Sequence, residues 1–128
     1  MENGIYIYGV IKTNHPQDFG SIGIGQNNPG VLTLGFQDLA AVISHSPFIT
    51  YSSLNKESTV KDLVTHQFVI EKVMERFTIV PVKFGTMVET EEEVAIFLEK
   101  GYTLLSDELR RMEGKIELDV VATWQLTK

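Results

Sequence analysis

The segment Thr78 to Thr86, TIVPVKFGT, constrains the fold more than any other stretch of the chain. Ile79, Val80 and Val82 make it apolar and β-forming, and Gly85 closes it, so it reads as a buried central strand. Pro81 lies inside it and cannot donate to a ladder. That predicts good pairing on one side and a bend or bulge at the proline. The other patterns fall around this segment: three strand-like runs and a helix before it, a helix and a last strand after it.

Gly4 to Ile11 alternates with period two, placing Ile5, Ile7, Gly9 and Ile11 on one face and Tyr6, Tyr8 and Val10 on the other. Lys12 to Gly30 turns to Asn, Gly, Pro, Gln and Ser and reads as a long loop, with a short extended piece at Ile22 to Ile24. Val31 to Leu34 and Leu39 to Ser44 flank Gly35-Phe36-Gln37-Asp38 and predict an antiparallel hairpin.

Advancing 100° per residue from Val60 gathers Leu63, His66, Gln67, Ile70, Val73, Met74 and Phe77 into an arc of roughly 120°, with Val60 and Val64 extending it. Val60 to Phe77 is therefore an amphipathic helix, with Ser58 or Thr59 as its N-cap. Two residues break the pattern: His66 lies inside the apolar arc and Phe68 among Lys61, Lys72 and Glu75. A second helix starts at Thr90 with Glu91 to Glu93 opposing the dipole, and Gly101 divides or kinks it. Gly114 stops it, and Ile116, Leu118, Val120, Ala122 and Trp124 alternate as a final strand. The order β, ββ, α, β, α, β is that of an α+β domain, a modified ferredoxin-like sandwich with a mainly antiparallel sheet and two helices on one face. The uncovered face then displays Tyr6 and Tyr8, and with Phe68 these are the candidate partner-binding residues.

Composition narrows the function. At 128 residues the chain can bury a core, and its formal charge of −6 argues against nucleic acid or an anionic membrane as partner. With no cysteine there is no thiol chemistry, disulfide or Cys-based zinc site. The first residues lack a signal-peptide pattern, and no apolar run approaches the roughly 18 residues of a membrane span, which together read as a cytoplasmic protein.

Catalytic patterns are sparse. His66 reads as a neutral core histidine bonded to a backbone carbonyl, with a proton carrier or ligand contact near Lys83-Phe84-Gly85-Thr86 as the alternative. His15 and His45 form no ligand spacing with it, so no metal is expected. Gly20 to Gly25 lacks GxGxxG spacing, a Walker lysine and a following helix, which excludes phosphate binding there. Glu91-Glu92-Glu93 is a solvated helix start, and Glu117 is placed to pair with Lys83 or Arg76 across the sheet. No nucleophile has an evident base, so the residues alone indicate a binding module.

IYIYGVI, DLAAVIS, THQFVIEKVME, VPVKFGTMV and GKIEL, in that order, resemble the N-terminal half of the gas vesicle accessory proteins GvpL/GvpF. The best-matching words are Asp38-Leu39-Ala40-Ala41-Val42, His66, Pro81-Val82-Lys83-Phe84-Gly85-Thr86 and Gly114-Lys115-Ile116-Glu117. The resemblance implies a modified ferredoxin-like domain over residues 1–128, belonging to a minor gas vesicle component. It implies a role in nucleation or assembly through the small hydrophobic shell protein, alongside other accessory proteins, with no enzyme activity and no cofactor. Family members usually continue into a largely helical second domain, which this sequence lacks. The alternative is a small ferredoxin-like enzyme or ligand sensor with His66, Lys83 and Glu117 around a pocket at the Phe84-Gly85 corner. A self-associating structural domain is a third reading.

Overall fold

The computed structural model describes residues 3–48 and 56–113. In chain order the elements are β1 (Asn3–Lys12), β2 (Asp18–Gly20), β3 (Val31–Phe36), β4 (Leu39–Pro47), α1 (Lys56–Met74), β5 (Ile79–Pro81), β6 (Met87–Val88), α2 (Glu91–Lys100) and α3 (Tyr102–Glu113). The strands form one antiparallel sheet in the order β2-β3-β4-β1-β5, with β6 also on β1. The α+β class with an antiparallel sheet is as expected. The expected strand from Ile116 to Trp124 and residue Glu117 lie outside the described residues.

Among the described residues the interior strands are β3, β4 and β1, and the Thr78–Thr86 segment is not one of them. That segment runs along β1 in two pieces: β5 pairs Gly9 with Pro81, and β6 pairs Tyr6 with Met87. Among the described residues it forms an edge. Val82 N–H reaches β1 at the Tyr8 carbonyl (3.0 Å), so the nitrogen of Pro81 faces away from β1, where a missing donor costs no ladder bond. The break in pairing falls at Lys83 to Thr86, where Gly85 adopts φ +91°, rather than at the proline.

A bulge in β1 decides the layering. Ile7 pairs with Ile43 and Gly9 with the adjacent Val42, so Tyr8 is an extra residue on β1. The simple alternation therefore fails after Tyr8. Ile5, Ile7 and Val10 face one core with Leu39, Ala41 and Ile43, covered by Val94 and Leu98 of α2 and Leu109 of α3. Tyr6, Tyr8 and Ile11 face the other with Ala40 and Val42, covered by Val69, Ile70 and Val73 of α1. The helices α2 and α3 do share one face, but α1 takes the opposite one, so the face carrying Tyr6 and Tyr8 is closed. Gly9 permits this geometry, since a Cβ there would meet Ile79 side-chain carbons at 2.6 and 2.7 Å and the Val80 carbonyl oxygen at 2.7 Å.

Local chemistry sets the other boundaries. The β3–β4 turn is the two residues Gln37-Asp38, with Gln37 at φ +55°, giving a tight hairpin. Ser58 and Thr59 lie inside α1 instead of capping it, because the helix begins at Lys56. Thr90 is the N-cap of α2: its hydroxyl accepts the Glu93 N–H at 3.1 Å, and Gly101 separates α2 from α3. The extended piece of the 12–30 loop is β2, not Ile22 to Ile24. Ile24 instead enters the core beneath α1.

Candidate functional site

His66 projects from α1 onto β1 and is 5% exposed. Its Nδ1 lies 2.8 Å from the Tyr6 hydroxyl, which also accepts the Gly85 N–H at 2.9 Å. The amide can only donate, and a Tyr6 hydroxyl that accepted from both neighbours would leave its own hydrogen buried without an acceptor, so the assigned wiring has Tyr6 donating to Nδ1 and the imidazole as the neutral Nε2–H tautomer. Among the described residues the partner of His66 Nδ1 is thus a tyrosine hydroxyl, in place of the backbone carbonyl expected for this side chain. Alongside, the Tyr8 hydroxyl accepts the Ile24 N–H at 2.9 Å and shares a hydrogen bond with the Ser44 hydroxyl at 2.8 Å. The rings stack into one body: Tyr6 to Tyr8 at 4.7 Å between centroids, each tyrosine to His66 at 5.7 Å, and His66 edge-on to Phe84 at 5.5 Å.

Burial governs the proton chemistry of this cluster. It pushes both tyrosines above their ordinary value and holds His66 below its own, because the charged forms would lose hydration. Neutral partners joined by these hydrogen bonds make a structural network. Tyr6 joins the Lys83–Thr86 corner to α1, and Tyr8 joins the glycine-rich loop to β4. Gly23 packs as closely: a Cβ there would sit 3.1 Å from Ser44 Oγ, so Gly20 to Gly25 serves loop docking.

The sequence-derived candidates separate accordingly. His66, Phe84 and Gly85 do come together, with Tyr6 at the centre. Lys83 is exposed, Pro81 is exposed opposite Gly9, and Thr86 closes the corner by donating its hydroxyl to the Lys83 carbonyl at 2.7 Å. Glu117 lies outside the described residues. Arg76 stacks over Phe19 and Phe77 at 5.3 and 5.5 Å and donates to Gln17 Oε1 at 2.9 Å, joining the end of α1 to the β2 region. Tyr6 and Tyr8 are fully buried and present no surface, because the bulge and α1 close that face. Among the described residues, no three His, Asp or Glu side chains gather as a metal set.

Phe68 is different. It is 48% exposed and does not stand alone: Val60 (56%) and Val64 (62%) share its side of α1, and Leu63 (47%) is also exposed. Val60, Val64 and Phe68 follow one another at four-residue spacing, so they line one face, with Leu63 at its margin. The core-facing residues His66, Val69, Ile70 and Val73 lie on the other side. The helix therefore has two apolar faces, one buried and one open. The sequence arc merged them, placing Val60, Leu63 and Val64 with the core. The signal that could separate them is the i, i+4, i+8 run ending on Phe68.

Two surface clefts do not involve His66. One of about 220 Å³ lies among Lys12, Asp38, Tyr102, Ser106 and Arg110; the other, of about 130 Å³, lies among Thr13 to Pro16, Gly35 and Gln37. In the first, the Tyr102 hydroxyl donates to Asp38 Oδ1, tying the hairpin turn to α3 and raising the phenol above its ordinary value. No helix among the described residues is long and apolar enough to cross a membrane.

Comparison with known proteins matches this arrangement. The chain is 26% identical over 121 residues to gas vesicle protein F of Streptomyces sp. (strain CB03234), covering 92% of this chain and 48% of that protein. The crystal structure of gas vesicle protein GvpF from Microcystis aeruginosa superimposes with a TM-score of 0.65 at 26% identity, over 87% of this chain and 44% of that one. GvpF from Anabaena sp. PCC7120 gives a TM-score of 0.65 at 21% identity, over 88% and 45%, a likeness of fold. The chain thus spans about half the length of these relatives. The description "gas vesicle synthesis protein GvpL/GvpF" fits residues 4–128, and the chain belongs to that family.

Proposed function

We propose that this chain is a non-enzymatic binding module of gas vesicle formation, which assists nucleation or assembly by docking the hydrophobic shell protein on the open face of α1. One observation carries the reading: Val60, Val64 and Phe68, at four-residue spacing, form an exposed apolar row on an acidic domain, with Leu63 exposed on the side of Val60 away from Phe68. Four side chains on one helix suit an apolar helix or strand lying against them. Family membership supplies the context, and His66 is buried and hydrogen-bonded within an aromatic cluster, as a structural residue would be. Other gas vesicle accessory proteins are further partners in this reading, and the site of action is the growing vesicle in the cytoplasm.

The test is affinity capture from cells co-expressing the shell protein. Wild type is compared with Val64→Asp and Phe68→Asp, and with Leu104→Asp as a charge placed on an exposed residue of α3. Loss of capture in the two α1 variants, with Leu104→Asp unaffected, is the expected result. Equal capture by all four proteins would remove α1 as the docking face. Capture by none, with a solution mass of a multimer, would favour self-association.

A further inference from the structure

Three segments far apart in the chain meet at one hydroxyl. The Gly85 N–H donates to Tyr6, and Tyr6 donates to His66 Nδ1. The relay is assigned this polarity because the amide can only donate and the buried Tyr6 hydrogen finds its acceptor at Nδ1. The corner it secures is tightly folded, with Gly85 at φ +91° and the Thr86 N–H and hydroxyl both donating to the Lys83 carbonyl at 3.2 and 2.7 Å.

We infer that the Gly85–Tyr6–His66 relay is a proton-operated clasp: neutral His66 holds the Lys83–Thr86 corner on β1 beneath α1, and a proton on the imidazole releases the corner. Protonation puts a hydrogen on Nδ1 and turns the acceptor into a donor. The Tyr6 oxygen then faces two donors, Gly85 N–H and Nδ1–H, while its own hydrogen loses its acceptor. The ring cannot relax into water from its buried position.

Among the described residues the sheet supplies His66 with no compensating charge. From β1 come Tyr6 and Tyr8, and from β4 Ser44 through Tyr8. From the corner come the uncharged ring of Phe84 and the exposed Lys83, whose charge is of the same sign as an imidazolium. On α1 itself Asp62 stands one turn before His66, and its charge acts on both tyrosines, opposing their ionisation. The relay therefore has one stable wiring and one broken one. The proton decides between them, and nothing in this step depends on the docking face proposed above.

Nuclear magnetic resonance on the whole chain tests the clasp. Long-range ¹H–¹⁵N spectra give the tautomer and titration of His66, and hydrogen exchange gives the Gly85 protection factor from about pH 8 to about pH 5. The expected results are an Nε2–H imidazole and a fall in Gly85 protection of about tenfold or more as the ring charges, with the β1–β4 ladder amides unchanged. His66→Gln has no group that titrates in this range, so its Gly85 protection shows none of the fall that follows the His66 titration in wild type. Tyr6→Phe gives fast Gly85 exchange throughout. An Nδ1–H tautomer, Gly85 protection constant through the His66 titration, ladder amides lost in step with Gly85, or an unchanged pH dependence in His66→Gln would each overturn the clasp.

Discussion

The Tyr6 hydroxyl lies 2.8 Å from Nδ1 of His66, sixty positions away in the chain, and this contact seats α1 on β1. Removing the hydroxyl leaves both His66 Nδ1 and the Gly85 N–H without their partner in a dry site. Tyr6→Phe is therefore expected to destabilise the fold by about 1–3 kcal/mol, since unmade buried hydrogen bonds cost the desolvation of each group. Urea unfolding measures it. A loss of only a few tenths would mean that the cluster is held by ring packing alone.

Acid should weaken the fold through His66. An unfolded histidine titrates near 6.5, whereas burial holds the folded one lower, so between those values the unfolded chain binds more protons. The stabilisation is complete above that ordinary value and is lost as pH falls through it toward the depressed one. At the alkaline end the sign is opposite. Tyr6 and Tyr8 ionise above their ordinary value near 10, so stability drops as pH rises past it. Denaturation midpoints across pH check both limbs, and His66→Gln should flatten the difference between about pH 7 and about pH 5 relative to wild type.

Two glycines make a matched pair. Gly9→Ala forces a Cβ to within 2.7 Å of the Val80 carbonyl and 2.6 Å of Ile79 at the β1 bulge. The expected cost is about 1–3 kcal/mol or more, because backbone must move. Gly30→Ala meets nothing within 4 Å and needs no positive φ, so it should be neutral or stabilise by up to about 1 kcal/mol. Thermal melts of the two variants, run side by side, give the comparison. Equal melting temperatures would contradict the bulge geometry.

The start of α2 offers a local check. Thr90 accepts the Glu93 N–H, and the Glu93 carboxylate in turn accepts the Glu89 N–H at 2.6 Å. Thr90→Ala should cost about 1 kcal/mol, whereas Thr90→Asp should be close to wild type because its carboxylate can take the same bond. An alanine variant as stable as wild type would show that tertiary contacts, not the cap, fix this end.

Much of the fold is readable from period and turn chemistry. The hairpin is set by apolar runs around Gln37-Asp38, α1 by its arc, and the break between α2 and α3 by Gly101. What the pattern hides is the bulge at Tyr8, because an alternating sequence carries no mark of one extra residue; the signal present is Gly9, small enough for β5 to approach. That one residue exchanges the faces of Val10 and Ile11, and α1, packing opposite α2 and α3, turns the expected open face into a second core. The placement of His66 among apolar neighbours is legible from helical spacing, while its partner is not, since Tyr6 reaches it only through tertiary packing. The open stripe of α1 is obscured for a related reason. Leu63 and Val64 satisfy an apolar arc whether or not anything covers them, and only the sheet reveals which side is used.

The most direct test of the central claim is hydrogen exchange read by mass spectrometry on the chain alone and on the chain captured with the shell protein. Docking on α1 predicts added protection in peptides spanning Val60 to Phe68, with α3 and the β2–β3 edge unchanged. Protection confined to α3 or the sheet edge, or none anywhere in a complex that forms, would contradict it.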